Sequence, residues 1–170
     1  MLFEKDTGDG KQTSLEEDRM ESISHLIKKL EDQHADLFWQ GEASLESINK
    51  LQTILKCVLP RSFKDFLLTY GGGGISEEEI SGIEANDPYI QNRGTVLGDT
   101  LLCREEFQLP EHFIVIYFGM DNVVWCLDTS KLENEECPVI SYDVYLKKSF
   151  FLFPTFNEFM HDFLTHRINR

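Results

Sequence analysis

HFIVIYFGMDNVVWCLDT, residues 112–129, decides how this chain folds. Its two halves, His112 to Phe118 and Asn122 to Thr129, are runs of β-branched and aromatic residues, the side chains that pack best on a pleated surface. Only Gly119, Met120 and Asp121 separate them, the tight connection expected of a β-hairpin. Two further strand candidates follow, PVISY from Pro138 to Tyr142, after the acidic loop LENEEC, and Phe150 to Phe153.

On both sides of these strands the apolar period changes to three and four residues, the spacing of one helix face. Ser14 and Glu17 have capping-box spacing, and Met20, Ile23, Leu26, Ile27 and Leu30 mark a first helix. Ser44 caps a second, with Leu45, Ile48, Leu51, Leu55 and Val58 inward. The third is LPRSFKDFLLTYGGGG, residues 59–74, in which Pro60 suits a first turn and Phe63, Phe66, Leu67 and Tyr70 share a face. Ile80, Ile83 and the Asp87–Pro88 pair predict a short strand and a turn. A helix from about residue 92 to Phe107 would turn Val96, Leu97, Leu101 and Leu102 inward, although Gly94 and Gly98 weaken it. Thr155 and Glu158 open a closing helix whose apolar face is Phe156, Phe159, Met160, Phe163 and Leu164.

The four glycines Gly71 to Gly74 invite comparison with a phosphate cradle. A cradle lies between a strand and a helix start, and here the order is reversed, no GKS or GKT follows, and Glu77, Glu78 and Glu79 come next. The run therefore predicts a mobile helix stop that holds no ligand, with Gly71 in the left-handed region.

Helices, then consecutive strands, then a helix predict an α+β fold: a mainly antiparallel sheet of about four to six strands, covered on one face by helices, in one domain. Residues 1–13 are polar, contain Gly8 and Gly10, and read as a disordered lead, which leaves residues 14–170 for the domain.

Thirty acidic against sixteen basic residues give a formal charge of −14, which disfavours nucleic acid and anionic membranes and favours a basic protein partner. No apolar run is long enough to span a bilayer, and the first residues carry no signal-peptide core, so the expected location is the cytoplasm. Cys57, Cys103, Cys126 and Cys137 form no CxxC pair and predict free, buried thiols rather than a metal or redox site. His161 and His166 are five residues apart, on different helix faces, and are expected to be exposed. No catalytic motif, metal or cofactor is indicated.

Taken in order, the second helix from near Gly41 and Ser44, the Leu59–Pro60 pair, FKDFLLTYGGGG, the IVI strand, WCLDT and CPVISYD resemble the SUKH superfamily. The resemblance spans roughly residues 23–165 and takes in bacterial immunity proteins against polymorphic toxins and fungal cell-wall regulators of the Smi and Knr type. It implies a single SUKH-like domain that binds and blocks a toxin domain, commonly a nuclease, and performs no chemistry. Gly71 and Gly72 match the small residues that end the family's aromatic helix, and Asp128 matches the acidic or polar end of a family strand.

Candidate contact residues follow from charge, loops and aromatic size. Glu77, Glu78 and Glu79 form one carboxylate cluster, and Glu133, Glu135 and Glu136 another. Asp87 and Asp121 fall in predicted turns, and Gly72 and Gly73 in the expected mobile one. Trp39, Tyr89 and Trp125 are the candidate apolar anchors, with a core role competing for both tryptophans. The expected partner is a cognate basic toxin domain, with the chain itself a monomer or weak homodimer. An intracellular scaffold of the fungal type and a carboxylate-dependent hydrolase are the alternatives.

Overall fold

The computed structural model describes residues 21–170. The lead over residues 1–13, the Ser14–Glu17 capping box and Met20 lie outside them. In chain order the elements are α1 (Ile23–Asp32), β1 (Leu37–Trp39), α2 (Leu45–Leu55), α3 (Arg61–Tyr70), β2 (Gly73–Ile75) and β3 (Glu78–Ile80). Then come α4 (Val96–Phe107), β4 (Phe113–Phe118), β5 (Val123–Asp128), β6 (Val139–Asp143), β7 (Lys148–Phe153) and α5 (Phe156–Ile168). The fold is α+β, with two antiparallel sheets, β1-β2-β3 and β4-β5-β6-β7.

The hairpin pairs as its sequence predicts, from Phe113 opposite Asp128 to Phe118 opposite Val124, with a register shift between Val115 and Tyr117. Alternate residues enter two cores. Ile114, Ile116 and Leu127 face α1, α2, α3 and α5, where Phe63, Phe66, Phe156 and Phe159 pack. Val115, Val124, Cys126, Ile140 and Tyr142 face the opposite way, onto Cys103 of α4 and Leu109 beyond it. Helices thus cover both faces of the sheet rather than one. That is why FIVIYF reads as a continuous apolar run, its first four residues all buried, instead of alternating with polar ones.

The glycine run differs most from expectation. Gly71 does stop α3, at φ 73°, donating its N–H to Leu67 O. The next three glycines are neither a mobile turn nor a surface: Gly71 to Gly74 are all buried, and β2 is the middle strand of the small sheet. A Cβ at Gly71 would lie 1.7 Å from the Gly41 carbonyl oxygen, and one at Gly73 would lie 2.1 Å from that of Phe38. Close backbone approach, not mobility, accounts for the glycines.

Three helix details also move. α1 is capped by Ser22, which accepts from His25 N. Lys56 adopts left-handed geometry and ends α2, which leaves Val58 beyond the helix and 56% exposed instead of inward. α4 starts after Thr95, whose side chain accepts from Gly98 N, and its fully buried face includes Val96, Leu97, Asp99, Thr100 and Cys103, while Leu101 and Leu102 are half-buried. Asp99 and Thr100 turn inward because each has a specific partner: Ser81 Oγ donates to Asp99 at 2.7 Å, and Val115 N donates to Thr100 Oγ1 at 3.0 Å. Three of the four cysteines are buried and Cys57 is half-buried, all with free thiols, and His161 is half-buried rather than exposed.

Candidate partner-binding surface

Pro60 precedes α3 with no side chain able to cap it, so the first N–H groups of the helix need acceptors from elsewhere. They come from the turn before β6. Glu133 and Glu136 close that turn by two backbone hydrogen bonds of 2.8 and 3.0 Å, with Asn134 and Glu135 at positive φ between them. The Glu135 carbonyl accepts from Arg61 N at 2.8 Å. The Glu136 carboxylate accepts from Ser62 N at 3.1 Å and from Ser62 Oγ at 2.7 Å. Arg61 pairs with the Glu135 carboxylate at 3.2 Å. Two of these three predicted contact carboxylates therefore anchor a helix, and Glu133 remains exposed without a cation among the described residues.

Beside this turn runs a groove of about 1070 Å³ between α3, the strand β7 and the start of α5. Phe66, Tyr70, Ile23 and Phe151 give it apolar surface, and Asp65, Glu133, Glu136 and Glu158 line it with carboxylates. Glu158 Oε2 is buried and has no hydrogen-bond partner among the described residues. The cations in the groove, Arg61 and Lys131, already face Glu135 and Asp128, at 3.2 and 3.8 Å. A concave surface with rings inside and negative charge along its walls suits a cationic protein segment.

The other carboxylate cluster is divided. Glu77 sits exposed in the β2–β3 turn at φ 70°, while Glu78 and Glu79 belong to β3. Glu78 accepts from Arg167 Nε and lies 2.7 Å from Nη2, and Arg170 approaches it at 3.5 Å. The Arg167 guanidinium stacks 3.3 Å from the Phe163 ring centroid, so Glu78 holds α5 to the small sheet and is not a free loop charge.

Core packing takes up several further candidates, wholly or in part. Trp39 packs on Tyr70 at 4.6 Å and Trp125 on Tyr117 at 4.5 Å, and both are half-buried against the main core. Asp128 is 4% exposed and holds Ser130 through its N–H and hydroxyl. Gly72 and Gly73 are buried in the small sheet. Asp87 is exposed but accepts from Tyr89 N at 2.9 Å, which fixes its own turn. Tyr89, 60% exposed, lines a second groove of about 510 Å³ with Leu45 and Ile54. Asp121 is exposed at the tip of the β4–β5 hairpin beside Met120. The two candidate clusters do not meet in one patch, and Glu133 and Glu136 alone reach the large groove.

Asp65, Phe151 and Glu158 line the groove but are not among the contact candidates read from the sequence, where Glu158 stands only as a helix-start residue and Phe151 only in a strand. Asp65 had a signal: Arg61, Asp65 and Thr69 recur at four-residue steps on the polar side of α3. Phe151 and Glu158 had none, since only the folding of β7 and α5 beside α3 brings them there.

Burial pushes the thiols of Cys57, Cys103 and Cys137 up, to about 11, 12 and 12, and Cys126 well above the ordinary value, so each is protonated at neutral pH. Burial also raises Asp99, against the downward pull of Ser81, Gly94 and Arg93. Asp99 lines neither groove described above. Among the described residues no three His, Cys, Asp or Glu side chains converge as a metal site needs, and no helix is long and apolar enough to cross a membrane.

The chain belongs to the SUKH superfamily, as its match to a family model shows. Within it, the chain belongs to the family SUKH_5, described as SMI1-KNR4 cell-wall, which it matches over residues 23–165.

Proposed function

We propose that this protein is an immunity protein that binds a cognate toxin domain and neutralises it by occluding the active site. The toxin is a basic domain, a nuclease in the simplest case. The observation that carries the reading is the large groove, whose walls hold Asp65, Glu133, Glu136 and Glu158 while aromatic surface lies between them. A nuclease needs a positive groove for its substrate, and an acidic surface can fill that groove and exclude nucleic acid. Binding of this kind requires no catalytic group on the immunity protein, and its place of action is the cytoplasm. Family membership supports the class of function, and the net charge of −14 supports the sign of the partner.

The family's description favours a second reading, a regulatory or scaffold protein of the cell-wall-regulator type. Inhibition separates the two. The purified protein is titrated into a candidate basic nuclease toxin domain while cleavage of nucleic acid is followed. Complete inhibition at one equivalent is expected. Full toxin activity at excess protein favours the regulatory reading.

A further inference from the structure

The turn after β5 separates two hollows of opposite charge. Lys131 and Glu133 line the acidic groove, whereas Thr129, Ser130 and Leu132 line a second pocket of about 900 Å³ beside the end of α2 and the start of β4. Lys56, Lys64 and His112 also line it, and Glu111 is its one carboxylate among the described residues. In a chain of formal charge −14 most described lysines and arginines have a carboxylate at ion-pair distance, but Lys56 and Lys64 have none among the described residues. Arg104 stands behind the same wall. Its Nη2 donates to the Glu111 carbonyl at 2.7 Å, and among the described residues its buried Nε has no acceptor and its charge no carboxylate partner. Burial raises the Cys57 thiol in this pocket, and the Arg104 charge pulls against that rise.

We propose that this pocket binds a small organic phosphate. Its hydroxyls are already committed: Thr53 Oγ1 donates to Asn49 O at 3.0 Å, Thr129 Oγ1 to His112 O at 2.8 Å and Ser130 Oγ to Asp128 at 2.6 Å. That leaves two ammonium groups and an imidazole as its charged donors. Ammonium groups suit a phosphate, which offers several strong acceptor oxygens and close to two negative charges. Val58 and Leu132, 56% and 37% exposed, supply apolar surface for the organic part, and the volume is that of a small-molecule site. The range of the charges selects a small ligand over an acidic chain. A small anion in the pocket lies within one screening length, about 8 Å, of these cations, while an acidic protein or a nucleic acid would also meet the field of the surrounding carboxylates. The pocket is separate from the acidic groove, so its ligand does not depend on what the groove binds.

The amide signals of Lys56, Cys57, Val58, His112 and Leu132 are followed by NMR on the full chain while inorganic phosphate or phenyl phosphate is added, with sodium chloride holding the ionic strength constant. Saturable shifts are expected with both, and phenyl phosphate should be the tighter, at a Kd of about 1 mM or below. Lys56→Gln and Lys64→Gln should each raise that Kd about tenfold. Lys148→Gln, which removes the same charge from another part of the surface, should leave it unchanged. Amide signals away from the pocket report that each variant is folded. The proposal is overturned if no shift saturates, if all three variants weaken binding equally, or if inorganic phosphate binds as tightly as phenyl phosphate. A hexaglutamate peptide that binds the pocket more tightly than phenyl phosphate would overturn it too, in favour of an acidic protein segment.

Discussion

The Glu136 carboxylate caps α3 from 74 residues away, accepting from Ser62 N at 3.1 Å and Ser62 Oγ at 2.7 Å. A helix that opens with Pro60 has no local cap, and a carboxylate there also meets the positive end of the helix dipole. Glu136→Gln is expected to cost about 1 kcal/mol of stability. Ser62→Ala should cost a similar amount, and the double variant less than the sum, because both remove one contact. Urea unfolding of the four proteins checks this, and strict additivity would contradict it.

Glu77 and Glu78 are neighbours in sequence with different work. Glu78→Gln leaves the Arg167 guanidinium, whose side chain is 9% exposed, without its carboxylate and should cost about 1–3 kcal/mol. Glu77→Gln, in an exposed turn, should stay within about 0.5 kcal/mol. Thermal unfolding separates them, and equal Tm values would show that Glu78 is no tie.

Glycine substitution distinguishes close approach from simple torsion. Gly73→Ala would put a methyl 2.1 Å from Phe38 O and should cost about 3 kcal/mol or abolish folding. Gly41→Ala, at φ 91° with nothing within 4 Å, should cost only about 1 kcal/mol. Tm values of the two variants check the order, and a mild Gly73→Ala would return the glycine run to the status of a flexible turn.

Asp99 sets a pH dependence. Burial holds its folded carboxyl above the unfolded value, so between the two the folded state carries a proton that the unfolded state has lost. The associated stability is fully present below the unfolded value, about 3.9, and is lost as pH rises through the folded one. Asp99→Asn removes this loss. The stability of the variant minus that of the wild type should therefore increase as pH rises above about 4, measured by urea unfolding. A difference that stays level or declines would contradict the assignment.

Much of the fold was legible because local rules and global packing agree. Ser44, Thr155 and Gly71 mark helix ends by chemistry that does not depend on the rest of the chain, and the 112–129 hairpin carries its own turn. What was hidden depended on distant contacts. Gly73 looked mobile because nothing nearby shows that Phe38 runs against it, and Glu136 looked like a free charge because Ser62 is far off in sequence. The same holds for the site: carboxylates were visible as residues, but which of them helix starts and arginines consume was not. Asp65 alone could have been added, from the polar stripe of α3.

Association kinetics with the toxin domain address the proposed function most directly. A basic toxin domain of the proposed kind is passed over the immobilised protein at salt from about 0.02 to about 0.5 M, which takes the screening length from well above to well below a typical charge separation. Fast association at low salt that slows steeply as salt rises is expected, as is a flatter dependence for the Asp65→Asn, Glu133→Gln double variant, whose groove has lost two carboxylates. Binding that ignores salt and both substitutions, or no binding at all, would contradict an acidic groove as the toxin's seat.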